Sequence, residues 1–216
     1  MVAFADAARE GRFRQKLSVM GKLEMPEIKA PGIERTCVKI MLDDERLPEL
    51  DHLHQNIEEA HAARRCVAIH CVTRGELVFA TEALAMAGVR TGDRIEHAAV
   101  TPPELMRRLA DLSLQVVTQH GFLYERGDVY AREVDLQDQP WLYRGQGFID
   151  AHVPLGGGTD APFGAADPWR SIQAAARRRT EGDQILEPRE SLLPEKALAL
   201  FTTPAEAPGG PPRRIA

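Results

Sequence analysis

Four polar residues occupy places where burial would be costly. The chain has five short β-rich runs, CVKIML (37–42), CVAIHCV (66–72), DRIEHAAV (93–100), LQVVTQH (114–120) and HVPLGGGTD (152–160). Four of them carry a polar residue at or near their end: Lys39, His70, His97 and Asp160. In parallel α/β folds the carboxyl ends of the strands gather catalytic groups, so residues far apart in sequence meet there. Two histidines and a carboxylate are standard zinc donors. Strand alternation puts Val38 and Ile40 opposite Lys39, which therefore serves one face only. Each residue alone has a plainer reading. A histidine can simply be hydrogen-bonded, Asp160 can cap a turn, and Lys39 can extend its ammonium to solvent. The conjunction is harder to dismiss, because the chain has only five lysines and one of them interrupts Cys-Val-Lys-Ile-Met-Leu.

Amphipathic stretches separate most of the runs. LDHLHQNIEEAHAAR (50–64) aligns Leu53, Ile57 and Ala60 on one helical face. GELVFATEALAMAG (75–88) ends in Gly88, a natural helix stop. TPPELMRRLADLS (101–113) opens with a Thr cap and prolines, and DPWRSIQAAARRRTEG (167–182) opens with Asp-Pro. The segment 122–149 is polar, aromatic and irregular, and reads as an excursion ending in a short helix near 140–149. A last helix is expected over roughly 194–202, followed by a tail too rich in Pro and Gly to continue it. Strands alternating with helices predict βαβ units and a parallel sheet, either open and doubly wound or part of a (β/α)8 barrel. Residues 1–36 do not resemble a βα repeat and form a poorly defined segment, leaving 37–216 as one α/β domain.

Several features point elsewhere and are set aside. His52-Leu-His54 opens a helix, where positions i and i+2 diverge. Gly156-Gly-Gly-Thr-Asp160 lacks the Lys-Ser/Thr of a phosphate loop, and its glycines read as a tight turn aiming Asp160. Arg177-Arg178-Arg179 reads as the solvated end of a helix. Glu96 alternates with His97 and is expected to point away from it. Cys37, Cys66 and Cys71 lack a Cys-x-x-Cys spacing and sit in apolar stretches, so they read as reduced core residues of a cytoplasmic protein. The net charge of −5 and pI near 5.8 argue against nucleic acid or a membrane surface as partner. No apolar run approaches the ~18 residues of a spanning helix.

The ordered strings Val67-Ala-Ile-His70, Arg94-Ile-Glu-His97-Ala, Val117-Thr-Gln119 and Gly158-Thr-Asp160-Ala-Pro162 resemble the amidohydrolase superfamily, specifically the amidohydrolase-3 (YtcJ-like) family. Asp167-Pro-Trp169 and the 193–202 helix extend the resemblance from about residue 37 to the C-terminus. It implies about strands 4–8 of a TIM-type (β/α)8 barrel that hydrolyses non-peptide C–N bonds with one or two divalent ions, Zn²⁺ foremost. On that resemblance Lys39, His70, His97 and Asp160 are metal ligands. Lys39 is a carboxylation site that bridges two metals, and Asp160 is the general base and acid. Gln119-His120 stands where the family commonly has Gln-Pro, which makes Gln119 and His120 candidate substrate contacts, with His120 alternatively an extra metal contact and otherwise a surface residue.

The sequence departs from the family at its start. No strand bearing the family's first-strand His-x-His is visible before Lys39, and Asp43-Asp44-Glu45 replaces the frequent Asp-Gly-Ser. The expected protein is therefore a C-terminal portion of the enzyme, able to self-associate and poorly active by itself, acting on a small amide-like substrate. The rival is a non-catalytic barrel fragment used for binding or oligomerisation. A nucleotide-binding open α/β domain is disfavoured, because no strand is followed by Gly-x-Gly-x-x-Gly.

Overall fold

The computed structural model describes residues 2–12 and 15–213. Six strands form one parallel sheet: β1 (Leu17–Gly21), β2 (Ile33–Met41), β3 (Val67–Cys71), β4 (Arg94–His97), β5 (Gln115–Thr118) and β6 (Leu155–Gly157). Their spatial order equals their sequence order, and every neighbouring pair is parallel. A doubly wound sheet reverses strand order at a switch point. This one does not, so the architecture is a parallel half-barrel.

Helices α1 (Val2–Arg9), α2 (Leu50–Ala62), α3 (Arg74–Ala87), α4 (Pro103–Asp111), α5 (Gly121–Glu133), α6 (Gln146–Asp150), α7 (Pro168–Arg177) and α8 (Pro194–Thr202) punctuate the strands. The outward strand residues Val38, Ile69, Ile95 and Val116 join Leu53 and Ile57 of α2, Leu77 and Leu84 of α3 and Leu109 of α4 in one buried core. Period-3.6 stripes meeting period-2 strands produce that layer. Between β3 and α3 sits a capping box. Thr73 Oγ1 accepts from Glu76 N at 3.1 Å, while Glu76 Oε2 accepts from Val72 N at 2.6 Å and Thr73 N at 3.0 Å. This fixes the turn that directly follows His70. Gly88 ends α3 with a positive φ of 75°.

Five expectations are corrected. First, the segment 1–36 contains a strand: β1 pairs with β2, and Arg65 helps hold that edge by donating to the carbonyls of Gly21, Lys22, Leu23, Thr36 and Cys37. Its sequence, Leu-Ser-Val-Met-Gly, contains no histidine. Second, residues 121–133 form helix α5, because Phe122, Leu123 and Gly127 give it a buried face despite its polar composition. Third, Cys37 and Cys66 form a disulfide. Val38 pairs with Val67 in the parallel register, so the preceding residues stand abreast with Cα atoms 4.4 Å apart. The cysteines thus give no argument for a reducing compartment. Fourth, the glycines before Asp160 do not take left-handed backbone. A Cβ on Gly157 would lie 2.8 Å from Phe201, so glycine lets α8 close on β6. Fifth, Arg178 is fully buried, as described below. Among the described residues no helix is long and apolar enough to cross a membrane.

Candidate active site

Along β2 and β3 the residues alternate between helix-covered and concave faces. Lys39 and His70 take the concave one. By strict alternation His97 would follow Ile95 into the core, since it is opposite Cys71 in register. Its backbone instead turns left-handed, with φ 71° at His97 and 46° at Ala98. The imidazole therefore swings toward the concave face, and its ring meets that of His70 edge-on at 4.4 Å between centroids. Asp160, beyond β6, is also left-handed at φ 54°. Such backbone costs an L-residue on the order of 1–2 kcal/mol, and it concentrates at functional sites.

Lys39, His70, His97 and Asp160 line one cavity of about 660 Å³ at the carboxyl end of the sheet. Burial lowers the pKa of both histidines, and each is lowered further by the Lys39 cation. Both imidazoles are thus biased to the neutral form, which ligates metals. Burial also lowers the Lys39 amine, while Glu96 pulls it back up. The Asp160 carboxyl is raised by partial burial and drawn down by Lys39 and His70. Cys71 is free but fully buried, and burial holds its thiol well above the usual range, which disqualifies it as a nucleophile.

The donor chemistry suits a divalent cation, and Nδ1 of His97 is buried without a hydrogen-bond partner. Among the described residues, however, no group of three or more His, Cys, Asp or Glu is gathered closely enough to hold a metal ion. The histidine rings are in contact, and Asp160, at the exposed rim of the same cavity, acts electrostatically on His70.

Three sequence assignments change. Glu96 does not point away. The left-handed turn at His97 breaks the alternation on which that expectation rested. Glu96 accepts from Arg94 Nε at 2.7 Å, and its charge acts on both Lys39 and Asp160. Gln119 does not line the cavity. Its buried amide lies beside His97 and favours the protonated ring, although its Oε1 has no hydrogen-bond partner. His120 is neither a surface residue nor a cavity contact. It is 1% exposed, Nε2 donates to the Arg144 carbonyl at 3.2 Å, and burial takes its pKa down to about 3.

Sequence reasoning missed the other wall of the cavity. Phe122, Arg126, Tyr130 and Val134 line it from α5 and its C-terminal cap. Their i, i+4, i+8, i+12 spacing was the available signal, one stripe of a helix. Facing them are Leu142 and Tyr143, whose strand-like segment bridges Val100 and bonds Tyr143 N to the Ala99 carbonyl at 2.7 Å. Arg178 clamps this segment from below, donating to the carbonyls of Leu142 (2.9 Å), Tyr143 (2.8 Å) and Leu186 (2.7 Å).

The family is settled by sequence. The model of the Amidohydrolase family matches residues 32–210. The chain belongs to the amidohydrolase family. Over 118 residues it is 30% identical to an N-substituted formamide deformylase of Arthrobacter pascens, a match covering 54% of this chain and 22% of that protein. In fold it is similar to the crystal structure of a metal-dependent hydrolase of Pyrococcus furiosus, with TM-score 0.77 and 23% identity over 93% of this chain and 47% of that one. A metal-dependent hydrolase of Pyrococcus horikoshii OT3 is similar at TM-score 0.71 and 23% identity, over 82% of this chain and 40% of that one. This amidohydrolase chain thus spans less than half the length of each of these relatives.

Proposed function

We propose that this chain carries the metal-binding and proton-transferring side of a hydrolase acting on non-peptide C–N bonds of amide-like substrates. The observation that supports the reading is the meeting of Lys39, His70, His97 and Asp160, from four separate strand ends, in one cavity. His70 and His97 would hold a divalent ion, Zn²⁺ by donor type, with Asp160 and Lys39 at the margin. The ion would supply Lewis acidity at the substrate carbonyl and acidify water at the site. Asp160 accepts the proton of the attacking water, and its raised pKa suits it to return that proton to the leaving nitrogen. Amide plus water thus becomes acid plus amine. The partly desolvated Lys39 amine is a candidate for carboxylation. We assign β2–β6 to strands 4–8 of the family barrel, which makes β1 its third.

One observation favours a second reading. The described residues assemble no three-donor metal site, as a non-catalytic barrel portion used for binding or self-association would not. Metal discriminates between them. The purified chain should bind at most about one zinc per copy by elemental analysis, and chelation should remove any turnover of N-acyl and formamide substrates. Lys39→Ala should lower metal content and activity together. Absence of stoichiometric zinc at saturating metal would favour the non-catalytic module.

A further inference from the structure

The cavity has two chemically different ends. One holds the histidines, Lys39 and Asp160. The other is walled by Phe122, Tyr130, Val100, Leu142 and Tyr143, a small apolar cluster separate from the main core. Tyr143 stacks on Tyr130 at 27° and meets Phe122 edge-on, each at 5.9 Å between centroids. The cation at this end is Arg126, whose charge acts on both Asp160 and Tyr143. Its guanidinium lies 4.3 Å above the Phe122 ring and donates to the Phe163 carbonyl at 2.7 Å. At the rim, Met41 and Phe163 line the same cavity while being 64% and 75% exposed. Exposed apolar side chains around a concave aromatic wall mark a surface that gains by covering an apolar group.

We propose that this end is a subsite for an aromatic substituent of the substrate, seated against Tyr130 and Tyr143, with the amide directed at the histidine end. The proposal rests on the amide-hydrolase reading only for that direction. The stacking wall does not need the metal. The Leu142–Tyr143 segment sets the depth of the subsite, and it is a fixed wall. Tyr143 N bonds Ala99, and Arg178 holds the carbonyls of both residues from beneath.

Isothermal titration on the full chain, metal-free and zinc-loaded, compares N-benzylformamide, phenylacetamide, N-methylformamide and N-formylglycine. Burying a phenyl group should make an aromatic ligand bind at least about tenfold more tightly than N-methylformamide, with or without zinc. Preference for N-benzylformamide over phenylacetamide places the ring on the nitrogen side, and the reverse places it on the acyl side. Val100→Trp, which fills the subsite, should abolish the aromatic preference while zinc binding persists. Should that variant misfold by circular dichroism, Tyr130→Ala should weaken the aromatic ligand alone. Equal binding of all four ligands, or tightest binding of N-formylglycine, overturns the subsite. Aromatic preference in a chain that binds no zinc upholds the subsite and overturns the hydrolase reading instead. Zinc binding without aromatic preference does the opposite.

Discussion

The imidazoles of His70 and His97 meet edge-on at 4.4 Å between ring centroids, inclined by 72°, although they terminate different strands. The contact exists because His97 departs from strand geometry at the point where alternation would bury it. Two neutral imidazoles on one concave face are the best-formed feature of the site, and metal binding should depend on both.

His70→Ala and His97→Ala should each weaken zinc binding by at least about 100-fold, since even the outer partners of a metal ligand are worth 10–100-fold. Equilibrium dialysis with elemental analysis measures this. Global stability should change by less than about 1 kcal/mol for the partly exposed His70. Undiminished zinc in either variant would move the metal site elsewhere.

Arg178 is 0% exposed, and its three carbonyl partners have few alternatives. Arg178→Ala should destabilise the fold by roughly 3–5 kcal/mol, because buried acceptors lose charge-assisted donors. Arg178→Lys should recover only part of that, lacking the planar fork. Urea unfolding reads both. A loss below about 1 kcal/mol would show that the carbonyls find water.

His120 gives stability a pH dependence with a defined sign. Its folded pKa of about 3 lies below the ~6.5 of an unfolded imidazole. Between those values the unfolded chain binds the proton and the folded chain does not. Stability is therefore fully present above about pH 6.5 and declines as pH falls toward 3, by at most on the order of 4–5 kcal/mol. The urea midpoint should fall less steeply with acid in His120→Gln than in the parent. Parallel slopes would mean that His120 is protonated while folded.

The disulfide predicts a thiol count. Of three cysteines only Cys71 is free, so the unfolded, unreduced protein should react with one equivalent of thiol reagent and the reduced protein with three. Opening the link across a sequence separation of 29 should cost roughly 3–4 kcal/mol on the chain-entropy account. Three reactive thiols before reduction would show that the pair does not form.

Periodicity made most of the framework legible. Alternating runs marked β2–β5, the apolar stripe of α2 marked its buried face, and Gly88 marked where α3 ends. These are local properties, in which side-chain spacing and caps act within a few residues. Polar residues at strand ends also singled out Lys39, His70, His97 and Asp160, because their transfer cost is visible without a partner. Relations across the sheet were not legible. Whether Cys37 meets Cys66 depends on the register of β2 against β3, and one residue of slip separates them. Whether Glu96 or His97 faces the site depends on a left-handed turn that packing must impose. Arg178 read as solvated and His120 as a substrate contact or else a surface residue, because polar side chains are normally kept near water, and only the fold supplies the carbonyls that make their burial tolerable. The sequence by itself determined the kind of chemistry available. The tertiary structure decided which of those groups share a cavity and gave that cavity its aromatic wall, because both depend on contacts between residues distant in the chain.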